Sequence, residues 1–127
     1  MPEGKFVTAI NCMDGRVQEP VMQFFKLRHG ADYIDTITEP GPIKALSEGD
    51  ATLTGTIKKR VGISVEKHGS KLIAVIGHDD CAGNSVAKDE QLAQIDLSIE
   101  VVKSWGYNVK VIGLFVKDNY NVELVRE

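Results

Sequence analysis

Short apolar runs alternate along this chain with stretches whose apolar positions recur every three or four residues. "KFVTAINC" (residues 5–12) is apolar and rich in β-branched and aromatic side chains, which predicts a buried strand. Val17, Val21, Phe24, Phe25 and Arg28 then follow helical spacing, with Pro20 suited to a first turn and Gly30 to a stop. "DYIDTIT" (32–38) alternates weakly and reads as a second strand, closed by the turn-rich "EPGP" (39–42). A connecting loop containing Gly49 and Asp50 is expected next. From about residue 51 to 68, Leu53, Ile57, Val61 and Val65 trace one face of a helix that ends near Gly69. "KLIAVIGH" (71–78) is apolar on both faces, as a central parallel strand should be. Leu92, Ile95, Ile99 and Val102 mark another helix, stopped by Gly106, and "NVKVIGLFV" (108–116) a fourth strand. "KDNYN" turns the chain toward a short edge strand at 121–126.

Strands alternating with helices predict an α/β fold, a three-layer α/β/α arrangement with a mainly parallel central sheet. The expected strand order is 2-1-3-4, with a short edge hairpin at the C-terminus. No repeat, low-complexity tract or linker interrupts the pattern, so residues 1–127 are expected to form a single domain.

Composition narrows the function classes. A net charge of -3, with no basic block, argues against nucleic acid as a partner. The apolar runs are too short to span a bilayer, and "MPEGKF" has no signal-peptide pattern, so a cytoplasmic location without membrane association is expected. The two cysteines, Cys12 and Cys81, are distant in sequence, and in that setting reduced thiols or metal ligands are expected before a structural disulfide.

Both cysteines fall at the carboxyl ends of predicted strands, Cys12 in "NCMDGRV" and Cys81 in "GHDDCAGN". In open parallel sheets ligands bind at that edge, where the chain order reverses. With order 2-1-3-4 the strands carrying the two motifs are neighbours, and His78 and Cys81 face Cys12 across the crevice. Two thiolates and an imidazole suit Zn²⁺ with a fourth tetrahedral position left open, whereas a structural zinc site would want four protein ligands. A redox pair or plain packing of the thiols are the other readings of the same residues. Asp14 has two candidate roles: to orient a metal-bound water while Arg16 holds it ionised, or to bind zinc itself and close the site. His29 and His68, near predicted helix ends, are expected to be solvated.

Cys12, Asp14 and Arg16 in "CMDGR", with His78 and Cys81 in "HDDC", resemble the paired signatures of the β-class carbonic anhydrases, and the likeness follows the element order over nearly the whole chain. The resemblance implies a zinc lyase, commonly a homodimer or higher homo-oligomer, that hydrates carbon dioxide reversibly to bicarbonate by zinc-bound hydroxide. It implies Cys12, His78 and Cys81 as metal ligands and Asp14 with Arg16 as the catalytic dyad. Two further readings stay open: a zinc hydrolase of carbonyl sulfide or carbon disulfide, and a non-catalytic zinc-binding domain. The chain departs from the family pattern in Gly15, where serine or alanine is usual, and in "TEPGP", where an Arg-Asn-Ala-Gly-Asn stretch is usual. Glu39 therefore becomes either a solvated turn carboxylate or an acid on the cavity rim. Asp79 and Asp80, with Ala82 and Gly83, are expected to be polar loop residues or to shape a different pocket. The family also carries a helical arm ahead of strand one, here expected from about residue 5, so fold and metal site are expected to carry over better than the catalytic rate.

Overall fold

A computed structural model describes residues 2–127. Five strands make one sheet in the order β2-β1-β3-β4-β5. β1 (Phe6–Cys12), β2 (Tyr33–Glu39), β3 (Leu72–His78) and β4 (Lys110–Val116) run parallel, and β5 (Val122–Arg126) returns antiparallel beside β4. Four helices connect them: α1 (Gln18–His29), α2 (Pro42–Glu48), α3 (Ala51–Gly62) and α4 (Lys88–Ser104). The expected strand order and the C-terminal edge strand are both found.

Successive side chains of a strand point to opposite faces, so each central strand feeds two cores. Val7 and Ala9 of β1, Ala74 and Ile76 of β3, and Ile112 and Leu114 of β4 pack with Val21, Phe24 and Phe25 of α1. On the other face Ile10, Ile73, Val75, Val111 and Phe115 pack with Ile43 and Leu46 of α2, Ile57 and Val61 of α3, and Ile95, Ile99 and Val102 of α4. The three layers are therefore unequal, with α1 alone on one side. All seven residues of β3 are buried, which accounts for its unbroken apolar run. No helix among the described residues is long and apolar enough to cross a membrane.

The expected loop between β2 and α3 is corrected by the structure, because Pro42–Glu48 forms a short helix. Its amphipathic signal is only two turns long, but Pro42 sits at the start, Ile43, Ala45 and Leu46 are buried, and Gly49 closes it in the left-handed conformation. Asp50 then caps α3 by accepting from the Leu53 amide at 3.0 Å. The helical stretch expected to reach residue 68 continues past α3 as a π-helical turn, Ile63–Lys67. There Ser64 Oγ donates to Asp35 Oδ2 at 2.7 Å, and His68 Nδ1 lies 2.7 Å from the same oxygen. His68 is thus paired rather than simply solvated.

Strand pairing itself makes the crevice. β1 stays paired with β2 as far as Cys12 and Glu39, and β3 with β4 as far as His78 and Val116, yet the β1–β3 ladder stops at Ile10 and Val75. The sheet splits where the chain order reverses.

Candidate metal centre

Cys12 ends β1 and His78 ends β3, on the two lips of that split, and Cys81 lies three residues beyond His78. One ligand atom from each of Cys12, His78 and Cys81 lies within 4.8 Å of the others, and all three residues are buried. The two sulfur atoms are 3.8 Å apart and the cysteines are free. His78 Nδ1 lies 2.7 Å from the Asp79 carbonyl, which fixes that nitrogen as the donor and leaves Nε2 as the nitrogen available to a cation. Nε2 is buried and has no hydrogen-bond partner among the described residues. A buried ring nitrogen without a partner is costly in a folded protein, and a cation held with the two sulfurs would satisfy it. The donor set thus fits zinc.

Charge in the pocket points the same way. Burial pushes the Cys12 thiol up, but the neighbouring His78 imidazole and the backbone amides of Asp14 and Gly41 outweigh it and bring the thiol down to about 7. Burial and the nearby Cys12 push Cys81 up to about 11, opposed by the amides of Gly83 and Asn84. Burial alone would lower the His78 imidazole; Cys12 and the Asp79 carbonyl raise it instead. One sulfur is ready to bind and the other needs a cation to lose its proton.

The "TEPGP" loop reaches the centre through backbone. Gly41 has φ +62°, and a Cβ there would lie 2.8 Å from Asn84 Cβ and 3.2 Å from the Gly83 backbone. Only glycine lets residues 39–42 press against the loop after Cys81. Glu39 is not the solvated turn carboxylate of the first expectation: it stands beside Cys12 in the β1–β2 register and its carboxylate pairs with Arg60 of α3.

Asp14 is not one of the converging ligands. Arg16 grips its carboxylate with Nε 3.1 Å from Oδ1 and Nη2 2.7 Å from Oδ2, and the Arg16 amide adds a third bond at 2.9 Å. These bonds hold the Asp14 carboxyl far below the usual carboxylate range. Arg16 is itself braced by Asp80, whose carbonyl accepts from Nη2 at 3.1 Å and whose carboxylate accepts from Nη1 at 3.2 Å. Asp80 adopts φ +56°, an uncommon conformation for a side chain other than glycine, which aspartate tolerates better than most. A cleft of about 100 Å³ borders the cluster at His78 and is lined further by Arg16 and Asp80. Larger grooves lie elsewhere, such as one of about 400 Å³ along Lys58, Gly62 and Tyr107, and bring no comparable chemistry together.

A protein-family model described as "Putative carbonic anhydrase" matches residues 2–126. The chain belongs to this carbonic anhydrase family. A search of curated protein sequences finds no match. Among solved structures, β-carbonic anhydrase isoform I of the protozoan Trichomonas vaginalis is similar, with 16% identity and a TM-score of 0.63 over 95% of this chain and 82% of that one. The β-carbonic anhydrase CafA of the fungal pathogen Aspergillus fumigatus is similar at 13% identity and a TM-score of 0.57, over 97% of this chain and 76% of that one. At such identities the likeness concerns the fold.

Sequence spacing alone singled out Cys12, Asp14, Arg16, His78 and Cys81, and the structure brings all five to one crevice. It missed the brace from Asp80, the backbone part played by Gly41, and three side-chain amides, Asn11, Gln18 and Gln91, that border the ligands. Only Gly41 left a signal, in the Pro-Gly-Pro turn.

Proposed function

We propose that this carbonic anhydrase family member binds Zn²⁺ through Cys12, His78 and Cys81 and hydrates carbon dioxide reversibly to bicarbonate. The observation that carries the reading is the convergence of two sulfurs and an unpartnered imidazole nitrogen beside a carboxylate locked to an arginine. When bound, zinc supplies a Lewis acid that makes a water molecule nucleophilic near neutral pH.

Two thiolates cancel the formal charge of the cation, so the acidifying effect is weaker than with three imidazoles, and the chain's own groups matter correspondingly. Asp14, kept ionised by Arg16, is an acceptor only. It accepts a hydrogen bond from a water molecule and thereby aims the oxygen lone pair at the carbon of the substrate. Arg16, held by Asp14 on one side and Asp80 on the other, keeps that carboxylate engaged and outside the ligand cluster, which supports an open site over a permanently closed, non-catalytic one. Attack of the water oxygen forms one C–O bond as one C=O π bond of carbon dioxide opens onto its oxygen, giving bicarbonate, and the proton lost by the water leaves with solvent.

The unpaired outer edge of β2 and exposed Tyr33 support a homodimer, for which sedimentation should give twice the chain mass and a monomer mass would count against it. For the activity, stopped-flow hydration of carbon dioxide by the zinc-loaded protein should exceed the buffer rate, increasingly toward alkaline pH. A rate equal to buffer at every pH overturns the proposal. The same protein offered carbonyl sulfide and carbon disulfide separates a changed substrate from an inactive zinc domain.

A further inference from the structure

Although the β1–β3 ladder ends at Ile10 and Val75, both strands run on to the ligand residues. Their outer neighbours stay paired: the Met13 amide donates to the Glu39 carbonyl at 3.0 Å and the Asp79 amide to the Val116 carbonyl at 3.0 Å. Alternate residues of a strand between two neighbours turn their N–H and C=O groups to opposite sides. The backbone groups of Cys12 and His78 therefore face the open seam, where a missing partner would leave them buried and unpaired.

Side-chain amides fill the gap. Gln91 of α4 spans both groups of His78, its Oε1 accepting from the amide at 3.1 Å and its Nε2 donating to the carbonyl at 2.8 Å. Gln91 is only 2% exposed. Gly77 makes room for it, since a Cβ at that position would lie 2.7 Å from Gln91 Oε1. On the opposite lip Asn11 Oδ1 accepts from the Cys12 amide at 2.9 Å, and Gln18 Nε2 donates to the Cys12 carbonyl at 2.7 Å.

We propose that Gln91 is a positioning residue of the metal centre: standing in for a missing strand, it holds His78 at the seam width that lets its imidazole meet both sulfurs. The inference rests on the metal-binding reading above. Gln91 bonds the backbone of His78 rather than its ring, so its effect passes through His78.

The test is divalent-metal binding by the full chain and by Gln91→Leu, with Ser98→Ala as control. Ser98 is another buried polar residue of α4, bonded to the Ile43 carbonyl at 3.2 Å and not to His78. Gln91→Leu should weaken zinc binding by about 10- to 100-fold and alter the visible bands of the Co²⁺-loaded protein, whereas Ser98→Ala should leave both as in the parent. Parent-like affinity and bands in folded Gln91→Leu, or an equal loss in Ser98→Ala, overturn the proposal while leaving the metal-binding reading intact. A parent chain that binds no divalent metal overturns both. If Gln91→Leu does not fold, hydrogen exchange in the parent decides: slow exchange of the Gln91 carboxamide protons and the His78 amide supports the proposal, and solvent-like exchange overturns it.

Discussion

Adding one methyl group at Gly41 and at Gly49 asks whether the "TEPGP" loop is held by close contact or only by its backbone conformation. The two glycines flank α2 with similar left-handed geometry, φ +62° at Gly41 and φ +73° at Gly49. Alanine at either position meets the same intrinsic strain, about 1–2 kcal/mol. At Gly49 a Cβ meets nothing within 4 Å, so the cost should stop there. At Gly41 it meets Asn84 Cβ at 2.8 Å and the Gly83 backbone at 3.2 Å, neither of them the far end of a flexible chain. Overpacking of that kind adds about 1–3 kcal/mol, so Gly41→Ala should cost about 2–5 kcal/mol in all. Urea denaturation of the two variants, with stability read from the midpoint at an unchanged slope, gives the comparison. Because the Gly41 amide also supports the Cys12 thiolate, Gly41→Ala should weaken zinc binding and Gly49→Ala should not. Equal destabilisation by both substitutions would refute the close-contact argument.

Two further predictions concern the centre itself. Asp14→Asn keeps the hydrogen-bond acceptor that caps the turn at Gly15–Val17 but removes the ionised carboxylate; it should retain zinc and lose roughly 10²-fold or more in turnover, as measured by stopped-flow hydration beside metal analysis. Zinc affinity should rise with pH: with Cys12 at about 7 and Cys81 at about 11 in the metal-free chain, binding above neutrality displaces the Cys81 proton and, wherever the raised His78 imidazole is still protonated, a second, giving about a tenfold gain per pH unit or more, and a steeper dependence below pH 7. A competitive chelator titration showing flat affinity across this range would contradict the assignment of the two thiols.

The parts of this molecule legible in the sequence are those whose signal is local and periodic. β1 and β3 appear as unbroken apolar runs because both faces are covered, and the spacing of Cys12, Asp14 and Arg16 is informative because a strand end and one tight turn place them together. The strand order then brought His78 and Cys81 beside them. α2 escaped because two turns between a Pro-Gly-Pro turn and a glycine give too few apolar positions to establish a period. His68 with Asp35, Glu39 with Arg60, and Gln91 with His78 escaped for a different reason. Each is a polar contact between distant segments, satisfying groups that only the folded chain buries, and nothing in the spacing of either partner announces it.

Two loops far apart in sequence are proposed to close on one cation through two sulfurs and one nitrogen. Zinc X-ray absorption spectroscopy of the loaded protein tests it most directly. Two sulfur scatterers at about 2.3 Å and lighter nitrogen or oxygen scatterers at about 2.0–2.1 Å are expected, with one sulfur lost in Cys12→Ser; a spectrum with no sulfur in the coordination sphere, or one that Cys12→Ser leaves unchanged, would rule this coordination out.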